Sequence, residues 1–521
     1  MTEYLILYNI YMEEGTSPNE SQGGTIGNQN SWETPPSIFP ANVTSSLPPI
    51  PPQPVNAPQQ AGQATLKSDQ VFRNKGGFFS RFFGRKIVKI GILIFIIISI
   101  ILIILALILP RSDKSASEDV TLTYWGLWED ENVMRPVLAE FEKENPKIKI
   151  DYKKQDPVDY RERLSVRVEN GTGPDIFRYH NTWYPMLSGI LLPLPKETIE
   201  NEEFENNYYD TAKKDLIKNG TIYGIPLEID TLALYVNKQV FDDASREKGS
   251  AIPIPKTWQE FIESSNDLTK RDEEGRITMA GAAIGTLENV EHAPDIISLL
   301  LVQNGVDLDS LSEYTTQIED ALRFYTNFAL VENNVWDQTQ DNSMLAFSQG
   351  KVGMYFGYSW DYFSIKAQNP NIAIDVAPVP QLISTDKVNI ASYWAEGISA
   401  NSKHPNEAFL FMKFLAKKET QEKLFTQQSK VRLYGEPYSN KNLADKLKNS
   451  VAFTFVDQAK TAVSTPFVDG TNDNGLNDKL NAYLKDAVNA ILSGSSGESV
   501  NETFIQGFNQ VLGQFNEPTG N

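Results

Sequence analysis

Apolar and polar positions fall into three successive patterns along the chain. From Glu13 to about Gln70 apolar residues are sparse among Pro, Gly, Ser, Asn and Gln, and the run Leu47–Pro54 favours polyproline geometry. Such a stretch cannot bury enough apolar surface to fold. Residues 1–86 are therefore expected to be a disordered tail, whose prolines offer a docking motif. The first twelve residues are apolar but lack a basic start, so they do not read as a signal, and Met12 is an alternative start of translation.

The second pattern is an almost unbroken apolar run from Ile87 to Leu109, ended by Pro110. About twenty helical residues rising about 1.5 Å each span the roughly 30 Å core of a bilayer. Arg73, Lys75, Arg81, Arg85, Lys86 and Lys89 lie at or before its N-terminal end, whereas Arg111 and Lys114 follow it interleaved with Asp113 and Glu118. The basic excess belongs on the cytoplasmic side. Residues 87–110 are thus expected to be an uncleaved single-pass signal anchor, with the tail inside, a linker at 111–118, and residues 119–521 outside the cell.

The third pattern alternates short apolar runs with helical spacing. Val120–Trp125, Lys147–Tyr152, Asp175–Tyr179, Ala280–Ile284, Val352–Phe356 and Ile372–Ala377 read as strands. Between them, Val133, Val137, Leu138 and Phe141 fall on one helical face. Asp156-Pro157 has the form of a helix start, and Thr257-Trp-Gln-Glu260 has the spacing of a capping box. Further helices are expected at about 293–303, 315–331, 405–416, 419–428, 475–492 and 500–514. Strand–helix alternation predicts an α/β fold with a mostly parallel sheet covered on both faces.

Composition then removes whole classes of function. The 521 residues carry a formal net charge of −20. Residues 1–110 hold seven basic and six acidic groups, so the remainder holds 40 basic and 61 acidic, or −21. This balance argues against nucleic acid, because no basic surface would dominate. The absence of cysteine excludes disulfides, thiolate zinc sites, thiol catalysis and a lipid-modified N-terminal cysteine. With three histidines, His180, His292 and His404, the composition argues against a multi-His metal centre, and no metal or cofactor is expected. Gly350-Lys351 is followed by Val, so it is not a phosphate loop.

The order of motifs in the outer region resembles extracellular solute-binding protein family 1, the maltose-binding-protein-like receptors of ABC importers. The matching stretches are Leu122–Trp128, Gly173–Phe177, Gly189–Leu194, Tyr223–Leu227, Leu232–Lys238, Pro255–Phe261, Ala346–Met354, Ser359-Trp360 and Asn406–Leu415. The resemblance implies two hinge-linked lobes of a periplasmic-binding-protein-like fold. Lobe 1 is expected at about 119–229 and 396–447, and lobe 2 at about 230–395 and 448–521. The crossings are expected near Pro226–Thr231, Tyr393–Ile398 and 440–452.

A sugar ring has an apolar C–H face that aromatic rings cover and an equator of hydroxyls that carboxylates and amides bind. Loops at strand ends, where open α/β sheets bind ligands, offer Trp128, Glu129 and Asp130, then Tyr179, Asn181 and Trp183. The resemblance places Glu129 and Asp230 on ligand-contacting acids and Trp360, next to Asp361, on a stacking tryptophan. Trp394 and Glu396 sit at the second crossing, where relatives often have glycines. Trp125 and Trp258 read as packing residues and His180 as a structural histidine. The resemblance implies a receptor, not an enzyme, that captures a carbohydrate, most simply an oligosaccharide, and delivers it to a membrane permease. The alternatives are an extracellular glycosidase using paired carboxylates and a sensor or adhesin that binds without transport.

Overall fold

Val120–Gly126 becomes a strand because Leu122 and Tyr124 point into a core while their neighbours face away. It is the second strand of a sheet whose order is Ile148–Lys154, Val120–Gly126, Ile176–His180, Trp394–Ser399 and Leu191–Leu192, with Ile225–Pro226 also pairing with Trp394–Ser399. The structure, a computed structural model, describes residues 119–308, 310–330, 334–383, 386–469 and 473–516. The tail, the apolar run at 87–110 and the linker lie outside the described residues.

A second sheet has the order Lys270–Arg271, Ile277–Ala282, Val352–Gly357, Ala233–Asn237 and Ile374–Pro378. Each sheet has its own large apolar core, which makes two lobes. The sheets are mixed, not mostly parallel. In the first, two junctions are parallel and the pairs made by Trp394–Ser399 are antiparallel. In the second, only Ile277–Ala282 with Val352–Gly357 is parallel. Ala233–Asn237 and Trp394–Ser399, the strands that follow a crossing, run against their neighbours, Lys270–Arg271 folds back on Ile277–Ala282, and periodicity carries no record of direction.

Helix starts follow local chemistry. Thr257 Oγ1 accepts from the Glu260 N–H at 3.2 Å and Glu260 Oε2 accepts from the Thr257 N–H at 3.2 Å, closing the capping box that opens Trp258–Leu268. Trp258 is core: it packs on Phe261, Phe324 and Phe356 and donates to Gln303 Oε1 at 2.7 Å. Trp125 packs, partly buried, against the first core. Asp156-Pro157 does not start a helix. Asp156 Oδ1 accepts from the Val158 N–H in a turn, and the helix Tyr160–Glu169 begins after Asp159, whose φ of 52° breaks the backbone there.

A small third sheet, Ala462–Val463, Asn389–Ser392 and Asp230–Thr231, lies between the lobes along the chain. The first connection leaves Ile225–Pro226, passes through Asp230–Thr231 and enters Ala233–Asn237. The second runs through Asn389–Ser392, not Tyr393–Ile398, because Trp394–Ser399 is a fully buried strand of the first sheet. The third is long, running through the 3₁₀ turn Lys441–Leu447 and the helix Phe453–Gln458. Thr231 Oγ1 donates to the Phe455 carbonyl at 2.9 Å, and Asn389 Nδ2 to the Leu232 carbonyl at 2.9 Å, so the three connections hold one another.

Candidate functional site

Two tryptophans are exposed among the seven described, and each follows the end of a strand in a different lobe. Trp128 comes two residues after Val120–Gly126 and Trp360 three after Val352–Gly357; they are 40% and 39% exposed. The Trp360 indole lies flat on Tyr358, with centroids 4.5 Å apart and planes at 17°, which fixes one ring face and leaves the other free to cover a ligand. Trp128 meets Trp394 edge to face at 5.3 Å. Trp394 in turn meets Trp183 at 5.2 Å and His180 at 5.0 Å. Trp394 is nearly buried and Trp183 completely so.

Glu129, Asp230, Asp361 and Glu396 are buried and bound to the protein. Arg178, the centre of the Ile176–His180 strand, places Nη1 2.6 Å from Glu129 Oε2 and Nε 2.7 Å from Glu396 Oε1. Glu129 Oε1 also accepts from Gln428 Nε2 at 2.8 Å. Burial opposes charge on all three groups. Glu129 and Glu396 overcome it for Arg178 and raise the guanidinium above its usual range. Arg178, Arg432 and Gln428 overcome it for Glu129 and hold that carboxyl below the ordinary range. For Glu396 burial prevails over Arg178 and the carboxyl is pushed up.

Asp230 is 1% exposed, accepts from the Thr231 and Ser359 N–H groups at 2.8 and 2.9 Å, and so receives the first turn of the helix Ser359–Gln368. Burial raises its pKa well above the carboxylate range. Asp361 accepts from the Tyr358 N–H at 3.0 Å and Tyr355 Oη at 3.2 Å, and pairs with His292 Nε2 at 2.7 Å. Asn181 donates to Ser464 Oγ at 2.7 Å and accepts from the Tyr393 N–H at 3.1 Å, which makes it a pin between a lobe-1 strand and two connections. Tyr179 is a core ring. Asp130 is exposed and pairs with Lys154 at 2.8 Å. His180 bonds Thr182 Oγ1 and Ser392 Oγ at 2.8 and 3.1 Å, and burial lowers its pKa to about 3, so it is neutral.

Of the eleven residues offered, Trp128 and Trp360 have open rings, Asp130 is exposed but paired with Lys154, Trp394 lies behind Trp128, and the other seven are buried in the framework. Three groups were overlooked. Arg178 was signalled by a lone cation inside an apolar strand. Glu228, on the first connection, accepts the Trp394 N–H at 2.6 Å and is raised well above the carboxylate range by burial and then by Glu436 and Asp230. His292 carried no sequence signal at all. Among the described residues no group of three or more His, Asp or Glu is placed to hold a metal ion. A separate cavity of about 320 Å³, lined by Asn237, Lys270, Gly350 and Asn371 among others, lies at the other end of the second sheet from Trp360.

A family model described as bacterial extracellular solute-binding protein matches residues 128–422, more than half of the chain. The multiple sugar-binding protein of Streptococcus mutans is 24% identical over 333 residues, covering 60% of this chain and 75% of that protein. The sugar-binding protein MalE of Xanthomonas citri superposes with a TM-score of 0.61 at 19% identity, over 76% of this chain and 98% of that one. The maltose-binding MalE of Listeria monocytogenes, in complex with maltose, superposes with a TM-score of 0.60 at 19% identity, over 77% and 100%. These superpositions establish the two-lobed solute-binding fold.

Proposed function

Because the chain belongs to the bacterial extracellular solute-binding protein family, we propose that it is the capture component of an ABC importer. It takes up a saccharide, most simply an oligosaccharide, between its lobes and hands it to a membrane permease. The observation that carries this reading is the pair of exposed tryptophans at equivalent strand ends of the two sheets. Indole faces of this kind cover the C–H face of a pyranose, and contacts from both lobes favour the closed state by their differential affinity. The names of the relatives point the same way. A hydrolase would need an accessible pair of carboxylates, and Glu129, Asp230, Asp361 and Glu396 are all buried, which favours binding without turnover.

Removing one indole tests this. Trp360→Ala and Trp128→Ala are each expected to weaken saccharide binding by about 1.4–2.8 kcal/mol, or roughly ten- to a hundredfold, with the thermal midpoint lowered only slightly because each ring packs on one aromatic neighbour and is otherwise open. Unchanged affinity in both variants would remove the tryptophans from the site.

The uncleaved anchor at 87–110, with the tail inside the cell and the solute-binding domain outside, belongs to the same proposal and rests on the apolar run and its basic flank. Among the described residues no helix is long and apolar enough to cross a membrane. Tethering would keep the receptor at high effective concentration beside its permease. The protein is expected to stay in the membrane pellet after alkaline carbonate washing; release into the supernatant would contradict an anchor.

A further inference from the structure

We propose that the space between the lobes is closed at its Trp183 end by the protein itself, so that it receives the end of a saccharide chain and not an internal stretch. The proposal rests on the saccharide-binding reading above and goes beyond it by naming the part of the ligand that is recognised.

Four rings form a continuous row in lobe 1. Tyr160 to Trp183 is 6.2 Å, Trp183 to Trp394 5.2 Å and Trp394 to Trp128 5.3 Å between centroids. Exposure along this row runs 0, 0, 7 and 40%. A groove open at both ends would leave both terminal rings accessible. Here the Tyr160 and Trp183 end is covered, and the Trp128 end, like Trp360 on the other lobe, is not.

The cover comes from lobe 2. Residues 465–469 and 473–477 lead into the helix Leu476–Leu492, and Phe467, Leu476, Leu480 and Leu484 are buried in the second core. Yet several polar groups of this segment reach lobe 1. Trp183 Nε1 donates to Asp469 Oδ2 at 3.0 Å, and Asn477 Nδ2 donates to Thr182 Oγ1 at 3.0 Å. Arg161 Nε lies 2.9 Å from Asp473 Oδ2, an ion pair whose alignment falls short of a hydrogen bond, and Arg161 Nη2 reaches the Asp473 carbonyl at 3.4 Å. The Asp473 side chain has no exposure and that of Arg161 14%. Met186 packs against both cores at once. Pulling this segment away would break this ion pair and the bonds to Trp183 and Thr182 together.

The consequence for a ligand is steric and chemical. The Trp183 indole N–H is already used, so it is not available to a sugar hydroxyl. A chain entering past Trp128 and Trp360 can advance as far as Trp394 and no farther. A linear oligosaccharide satisfies this by inserting a terminal unit, whereas a ring-closed one has no terminus to insert and meets the clasp.

The test uses the full-length chain in detergent. Titration calorimetry with maltose, maltotriose and maltotetraose is compared with α-cyclodextrin, and hydrogen exchange of the indole N–H groups is followed by NMR in the ligand-free protein. Linear chains are expected to bind with affinity levelling off after about two or three units, and the ring to bind at least about a hundredfold more weakly. The Trp183 indole proton is expected to exchange far more slowly than that of Trp360. A ring that binds as tightly as the linear chains overturns the closed end while leaving the saccharide reading intact. Trp183 exchange as fast as that of Trp360 overturns it whatever the ligand. Failure of every saccharide to bind, with Trp183 still protected, removes the saccharide reading and with it the recognition of a chain end.

Discussion

Individual residues divide between those whose exposure was legible in the sequence and those whose surroundings depended on distant partners. The exposure of Trp128 and Trp360 was legible because a tryptophan placed just past a strand has little core to enter. Glu129 was offered by a strand-end loop and by the resemblance, and Glu396 by its place at the second crossing, and neither signal carries the cation they bind. Their cation, Arg178, is 49 positions from one and 218 from the other, and only the strand pairing of Trp394–Ser399 with Ile176–His180 brings the three together. His292 shows the same dependence. Burial works against its charge, but Asp361 at 2.7 Å, Asp295 at 3.9 Å and nearby Glu291 outweigh it and raise the pKa to about 9, with the Tyr355 and Tyr358 rings packed alongside. A raised pKa means that the folded state holds the proton more tightly than the unfolded chain, whose histidine titrates near 6.5. This contribution is complete below about pH 6.5 and is lost as pH rises through about 9. Stability measured by urea denaturation is therefore expected to fall between pH 6.5 and 9, by at most about 3 kcal/mol for this group, and His292→Gln is expected to flatten that slope. An equal slope in the variant would assign the pH dependence to other groups.

Elements were read more reliably than partners, because helix ends and buried strands are set by neighbours in sequence. Ala293–Gln303 and Lys418–Gln428 match the helical spacing of their residues to within a position. Thr257 and Glu260 make both bonds of the capping box that their spacing announces. Thr257→Ala is expected to cost about 1 kcal/mol of stability, seen as a lower denaturant midpoint at constant slope, while leaving ligand affinity alone, since this helix packs within the core of lobe 2. A loss of affinity without a change of midpoint would contradict that placement. Asp156-Pro157 misled because the same pair serves a turn as well as a helix start, and the left-handed Asp159 decides between them. Strand direction was illegible for a different reason: an apolar run such as Val352–Gly357, buried on both faces, looks the same whichever way its neighbours run.

At the scale of the whole molecule, two cores joined by three connections follow from one chain that leaves each lobe and returns to it. The small sheet formed by Asp230–Thr231, Asn389–Ser392 and Ala462–Val463 concentrates those passages, which is where a hinge motion would be absorbed. The second connection fell about four residues from its expected place, because the resemblance set it at Tyr393–Ile398 and that stretch pairs with Ile176–His180 as a strand of the first sheet. The receptor account requires that a saccharide be held and returned unchanged. The most direct measurement is a titration of the full-length protein with linear oligosaccharides, followed by chromatography of the recovered sugar. The account predicts saturable one-to-one binding, a shift in tryptophan fluorescence that is lost in Trp360→Ala, and sugar recovered intact. Shortened products, or no binding by any saccharide, would contradict it.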